Sequence, residues 1–147
     1  MTENVVHRSE ALAWEVPLEP PHNRVMGLLF ERDITPTNNV SAGFVLIPAG
    51  SEQPRLSSHE GVEEIYYVLR GTGWFVLADE KHEVRPGTAV YVGPGVEHRA
   101  INGSEEEMEL LWFNSPSAFG RVGGYEDVVA GWNDVRGKTH PHDSRED

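Results

Sequence analysis

Short, mostly apolar runs separated by turn-forming residues recur along the middle of this chain. Runs of this length are usual for β-strands and too short for most helices. Glycine, proline, asparagine or aspartate follows nearly every run, as is typical of turns between strands. The predicted strands are Val25–Phe30, Val40–Ile47, Glu64–Arg70, Trp74–Ala78, His82–Arg85, Thr88–Val92, Arg99–Ile101 and Met108–Asn114.

These strands occupy residues 25–115, and no helical pattern lies among them. Strands joined by short turns are typical of an antiparallel sandwich or barrel, so we predict one all-β domain over this range. Residues 1–24 form a predicted N-terminal arm, because its prolines disfavour a long regular element. The apolar residues Trp14 and Val16 are expected to dock this arm onto the barrel or onto a neighbouring subunit.

Residues 116–147 form a predicted C-terminal extension. Its apolar residues recur at helical spacing despite Gly131, which predicts a short helix packed against the barrel. The members of this helical face are Tyr125, Val128, Val129, Trp132 and Val135. Residues 136–147 are polar and are expected to fray.

The strand Glu64–Arg70 is apolar on both of its faces. Alternation places one set of residues, Glu64, Tyr66 and Val68, on one face and a second set, Ile65, Tyr67 and Leu69, on the other. A strand with one face in water usually carries polar residues on that face. A second sheet layer or a second subunit is therefore expected to cover the outer face, and we predict a homodimer.

The composition narrows the classes of function. Twelve Lys and Arg against 24 Asp and Glu give a net charge of −12, which argues against binding to nucleic acids or anionic membranes. The acidic excess is consistent with ordinary solubility or with adaptation to salt. No run approaches the length of a membrane span and no signal-peptide pattern begins the chain, so a soluble cytoplasmic protein is expected. The chain has no cysteine, so a metal would have nitrogen and oxygen ligands.

Glu64 lies on the predicted inner face of its strand, where an unpaired carboxylate is costly. Metal coordination would account for it, with His59 brought to the same side by a bend at Gly61 and His98 supplied by a neighbouring strand. The competing interpretation is an ion pair between Glu64 and an arginine such as Arg55 or Arg99. Both interpretations follow from the residues alone.

Two stretches resemble the two motifs of the cupin superfamily. The first family motif is Gly, then His-x-His, then Glu after three or four residues, then Gly after six more. Glu64 and Gly71 match this spacing, and His59 takes the place of the second histidine. Ser57 stands in the place of the first histidine, which is a departure from the pattern.

The second family motif is Gly, five residues, Pro-x-Gly, two residues, His, three residues and Asn. Gly87, Gly95, His98 and Asn102 match it, while the proline lies one place late at Pro94. Two motifs at the correct spacing are far more specific than a single match.

The resemblance implies a double-stranded β-helix, the jelly-roll barrel of cupins, which is often dimeric and holds one divalent metal ion. The implied ligands in this chain are His59, Glu64 and His98. Two histidines and one carboxylate suit Fe(II), and zinc, manganese or nickel can also accept them. Ser57 and Tyr66 are expected to line a substrate pocket, although Tyr66 is equally consistent with the core and Ser57 with a turn.

The function expected from this resemblance is that of a metal-dependent enzyme, oxygenase-like, acting on a small organic molecule inside the barrel. Isomerase, decarboxylase and cyclase activities are alternatives within the same class. A non-catalytic barrel that binds a metabolite is the alternative from another class. The residues alone do not choose the metal or the substrate.

Overall fold

A computed structural model describes residues 4–32, 34–35, 37, 39–57, 61–116, 125–127 and 130. This part of the chain is built mainly from β-strands, after a short 3-10 helix at Arg8–Glu10. The strands are β1 (Leu12–Val16), β2 (Arg24–Phe30), β3 (Ser41–Ile47), β4 (Leu56–Ser57), β5 (Glu63–Arg70), β6 (Gly73–Leu77), β7 (Glu80–Val84), β8 (Ala89–Val92), β9 (Glu97–Asn102) and β10 (Met108–Ser115).

The strands form two antiparallel sheets that face each other. One has the order β1-β2-β3-β10-β5-β8, and the other has the order β4-β9-β6-β7. Neighbours in each sheet are often far apart in sequence, as when β10 lies between β3 and β5. This arrangement is a jelly-roll barrel, and it confirms the all-β prediction.

Each of the eight predicted strands is present, with ends shifted by at most two residues. The strands β1 and β4 were not predicted. β1 lies inside the predicted N-terminal arm and pairs with β2, so the six-stranded sheet begins before residue 25. Trp14 and Val16 alternate toward the interior and pack against the core of the same chain, which is the first of the two docking alternatives.

The core lies between the two sheets. The largest fully buried apolar side chains are Trp112, Phe75, Leu28, Ile47, Met108 and Leu110. The Trp112 ring packs over Gly43 on the adjacent strand, where an added Cβ would lie 2.3 Å from it. Close approach of backbone and ring at this point depends on the missing side chain.

The two faces of β5 differ as predicted. Tyr66 and Val68 are buried between the sheets. Ile65, Tyr67 and Leu69 point outward and are between 40% and 46% exposed. The outer face of this strand is therefore apolar and uncovered by the described part of the chain.

The C-terminal extension is described only in part. Tyr125–Asp127 and Ala130 are helical, in agreement with a short helix, and Tyr125 is buried. The Tyr125 hydroxyl donates a hydrogen bond to the Glu31 carboxylate, which attaches this segment to the barrel. The other four members of the predicted helical face lie outside the described residues. Within the described residues, no helix has the length and apolar character needed to span a membrane.

Candidate functional site

Glu64 and Tyr66 reach the interior of the barrel from β5. They lie two residues apart, so both side chains emerge on the same face of the strand. Glu64 is paired in the sheet with Asn114 of β10 and Val92 of β8. Its carboxylate thus starts from a strand with partners on both sides, which holds its backbone in place.

His98 reaches the same region from β9 in the opposite sheet. Its side chain is 1% exposed, and its ring stacks parallel to Phe75 with centroids 6.2 Å apart. Its Nδ1 lies 2.9 Å from the Val96 carbonyl oxygen, so Nδ1 carries a hydrogen and donates it. In a neutral imidazole this leaves the Nε2 lone pair directed into the barrel, which is the arrangement found in histidines that bind metals.

The Nε2 atom of His98 lies 3.0 Å from Oε2 of Glu64. The contact lacks hydrogen-bond geometry, since Glu64 Oε2 is buried and has no hydrogen-bond partner among the described residues. Two acceptor atoms at this distance repel each other unless a proton or a cation lies between them. A metal ion bound by both atoms would remove this repulsion, since an imidazole nitrogen and a carboxylate oxygen are both metal ligands. The pair therefore fits a metal ion.

Tyr66 lies beside this pair. Its hydroxyl is 3.3 Å from His98 Nε2, and its ring packs against Phe75 with centroids 5.1 Å apart. Burial raises the pKa of Tyr66 well above its usual value, and the negative charge of Glu64 raises it further. The phenol therefore stays protonated and is able to donate a hydrogen bond inside the barrel.

The proposed ion pair between Glu64 and Arg55 or Arg99 is wrong. Arg55 pairs with Glu97 at 3.4 Å, and Arg99 pairs with Glu52 at 3.3 Å. Arg55 precedes β4 and is exposed, while Arg99 lies on β9 and is partly exposed, and each is paired with another carboxylate. The carboxylate is left facing His98.

His59 lies outside the described residues, so its distance to the pair is not given by the structure. Ser57 belongs to β4, where it is paired with Glu97 of β9. The preceding residue, Leu56, is paired with His98. Gly61 precedes β5 with a φ of +81°, a conformation that glycine adopts without strain. Within the described part of the chain, no group of three His, Asp or Glu side chains is placed to hold a metal, so a site there would need a further ligand.

The sequence analysis missed two polar residues in the interior, Arg24 and Gln53. Both are buried, and the Gln53 side chain accepts a hydrogen bond from the Ala100 backbone at 3.0 Å. The signal for Arg24 was present in the sequence. It alternates with Met26 and Leu28, and such a pattern places all three side chains on one face of a strand.

The fourth motif residue, Asn102, has a structural role. Its side-chain amide donates hydrogen bonds to the carbonyl oxygens of Ile47, at 2.9 Å, and of Glu106, at 2.7 Å. These bonds connect β9 to β3 and hold the loop that follows β9. Asn102 therefore stabilises the strand that carries His98.

Comparisons with known proteins agree with the fold described above. Residues 43–114, just under half of the chain, match the family model described as Cupin domain. An uncharacterized protein of Methanocaldococcus jannaschii is 35% identical over 71 residues, which is 48% of this chain and 56% of that protein. The chain thus spans little more than half the length of that relative.

Two solved structures share the fold. A predicted oxalate decarboxylase from Thermotoga maritima has a TM-score of 0.67 at 23% identity, over 76% of this chain and 98% of that chain. A cupin 2 conserved barrel domain protein from Rhodopseudomonas palustris has a TM-score of 0.64 at 15% identity, over 79% of this chain and 80% of that chain. At such identities the likeness shows the fold alone.

Proposed function

We propose that this chain, whose residues 43–114 match the family model described as Cupin domain, is a cupin whose barrel holds one divalent transition-metal ion and acts on a small organic molecule bound beside it. Cupin domains commonly bind metal ions. The proposed ligands are His59, Glu64 and His98, with Fe(II), zinc, manganese or nickel as the ion. His59 enters this set on its place in the motif.

One observation carries the proposal. Glu64 Oε2 and His98 Nε2 lie 3.0 Å apart in the interior without a hydrogen bond between them. The Val96 carbonyl accepts the hydrogen of His98 Nδ1, so Nε2 presents its lone pair to Glu64 and to the Tyr66 hydroxyl, which lies 3.3 Å away. Burying two such atoms together is unfavourable unless a positive charge joins them.

A bound ion would supply a Lewis acid, or with iron the means to activate oxygen. The residues of the chain would position the substrate against it. Tyr66, protonated and buried, would donate a hydrogen bond to a substrate oxygen, while the Phe75 ring would exclude water from one side. We assign the reaction to the oxygenase-like class, with isomerase, decarboxylase and cyclase reactions as alternatives on the same residues.

A second candidate function is binding without turnover. It is favoured by Ser57 in the place of a family histidine, because a barrel with fewer ligands can hold a metabolite alone. The two candidates differ in their metal content.

Elemental analysis distinguishes the two candidate functions. The full chain is purified without a histidine tag and then incubated separately with each of the four ions. We expect about one tightly held ion per chain, since a site of three protein ligands binds at low concentration. Protein that retains none of the four ions after desalting would exclude the metal-dependent function. The cytoplasmic location expected from the sequence stays a prediction.

We further propose that a second copy of this chain covers the outer face of β5, β8 and β10. The exposed side chains of this outer apolar face are Ile65, Tyr67, Leu69, Tyr91 and Phe113. Ile65 is paired with both Phe113 and Tyr91, so it lies in the middle of the face. Together the five leave roughly 500 Å² exposed, a size typical of interaction sites.

A twofold axis through this face would pair it with itself and bury most of the apolar part of a standard dimer interface. Ile65→Glu would place a charge at its centre and is expected to weaken the dimer about 30-fold or more. Sedimentation equilibrium measures this directly. Leu18→Glu is the matched control, since Leu18 is 43% exposed, close to the 46% of Ile65, and lies outside the three strands. A monomeric wild-type chain would rule the dimer out.

A further inference from the structure

Arg24 lies inside the barrel. It begins β2, where it alternates with Met26 and Leu28 on the face that packs into the core. Its side chain is as buried as theirs, with 5% of the residue exposed. An arginine in this position places a permanent positive charge among apolar side chains.

This charge has no partner in the part of the chain that the structure describes. Its Nε and Nη1 atoms are buried without a hydrogen-bond acceptor, and the ion pairs among the described residues involve other arginines. A buried guanidinium without an anion is strongly unfavourable, and proteins normally pair such a group. An anion bound inside the barrel would supply the partner that the described residues do not.

Arg24 faces the same interior as the pair formed by Glu64 and His98. Its positive charge acts on the buried Tyr66 hydroxyl, where it opposes the effect of Glu64 on the pKa of that phenol. The same hydroxyl lies 3.3 Å from His98 Nε2. The Tyr66 hydroxyl is therefore near both the guanidinium and the two proposed metal ligands.

Glu64 does not neutralise Arg24. The two side chains form no ion pair, and the Glu64 oxygen turns to His98 instead. Among the described residues, the interior therefore holds a guanidinium without an ion-pair partner and a carboxylate–imidazole pair, with the Tyr66 hydroxyl near both. A ligand that satisfies both must carry an anionic group and a second oxygen atom a short distance away.

We propose that Arg24 binds the carboxylate of a small organic acid, which thereby reaches the Glu64–His98 pair with its other oxygen atoms. The planar guanidinium fork matches a carboxylate with two parallel hydrogen bonds. A carboxylate carries one negative charge, which one arginine balances, whereas a phosphate would add a second beside Glu64. This inference rests on the proposed function, because it names the substrate class of the same site.

Calorimetric titration of the full chain with glycolate, pyruvate and oxalate tests the assignment. Ethylene glycol serves as the uncharged probe and inorganic phosphate as the competing anion. We expect at least one of the three acids to bind, and Arg24→Gln to weaken that binding about tenfold or more, as expected for the loss of a charge-assisted hydrogen bond. Arg24→Lys, which keeps the charge and loses the fork, should bind between the two. Arg55→Gln, an exposed arginine, should bind like the wild type.

A second measurement separates binding from a structural role. Without ligand, Arg24→Met should unfold at the same or a higher denaturant concentration than the wild type, because it removes an uncompensated buried charge. An arginine that held the fold together would give the opposite result. Marked destabilisation of Arg24→Met would therefore overturn the proposal.

The titrations are made on metal-free and on metal-loaded protein, so that the two proposals fail separately. Acid binding that depends on Arg24 in a chain that holds no metal would leave this inference standing and remove the metal-dependent function. A metal-loaded chain that binds none of the three acids, or that binds them equally after Arg24→Gln, would leave the metal-dependent function standing and overturn this inference. Tighter binding of phosphate than of every acid, with the same dependence on Arg24, would overturn the choice of a carboxylate.

Discussion

His98→Ala is expected to reduce the bound metal from about one ion per chain to a small fraction of that, with affinity weakened by about a hundredfold or more. Even residues that only orient a ligand are worth 10- to 100-fold in affinity, so the loss of a ligand itself should exceed this. The variant removes the imidazole that lies 3.0 Å from Glu64 Oε2. Elemental analysis and competition with a chromogenic chelator measure the effect.

His82→Ala is the matched control, because it removes an imidazole from the surface. His82 is half-exposed and contacts Glu80 in the β6–β7 hairpin, away from the barrel interior. Its metal content should equal that of the wild type. Because His98 is buried against Phe75 and Tyr66, its removal could affect folding. Circular dichroism and urea unfolding test whether His98→Ala is folded. A folded His98→Ala variant with full metal content would show that the ion binds elsewhere.

Gly43→Ala is expected to lower the free energy of unfolding by roughly 3 kcal/mol or more. A Cβ at this position would lie 2.0 Å from the Gly27 backbone oxygen and 2.3 Å from the Trp112 ring. The first contact is with backbone in the middle of a sheet, and the second is with a fully buried side chain, so neither can move cheaply. Urea denaturation followed by tryptophan fluorescence gives the change.

The control for this substitution is Gly93→Ala. The nearest atom to a Cβ there is a Val96 methyl at 3.7 Å, an ordinary van der Waals contact. The added methyl group should leave the stability within about 0.5 kcal/mol of the wild type. Equal stability of the two variants would mean that the close packing of β2, β3 and β10 is not what holds this sheet.

The Gly43 contact also bears on the candidate site. Trp112 is paired with Gly43 on one side and with Tyr66 on the other. A ring displaced by the new methyl group would press on the strand that carries Tyr66 and Glu64. We therefore expect Gly43→Ala to reduce metal retention as well as stability, whereas Gly93→Ala should not.

Much of the barrel was predictable because strand formation here depends on local pattern. Alternation in Glu64–Arg70 identified which side chains are buried, and the structure confirms it for Tyr66 and Val68. Strands β1 and β4 were missed because their local patterns are short. β4 has only two residues, and β1 lies among prolines, so neither presents a long enough period to be recognised.

The candidate site was predictable only as a set of residues. Motif spacing selected Glu64 and His98, and the structure brings them together. Motif spacing was unable to exclude an ion pair between Glu64 and Arg55 or Arg99, because it does not show which carboxylate each arginine contacts. Those partners, Glu97 and Glu52, are decided by the register of β4 against β9 and by the loop before β4.

The sequence by itself determined eight of the ten strands, the inner and outer faces of β5, and the candidate residues Glu64 and His98, because each depends on neighbours a few positions apart. Only the tertiary structure decided that Glu64 meets His98, that Arg24 is buried without a hydrogen-bond partner for its Nε and Nη1 among the described residues, and that the apolar face of β5 joins those of β8 and β10. These contacts join residues from distant parts of the chain. The distances between these residues depend on how the two sheets pack against each other, and a local sequence pattern does not specify that packing.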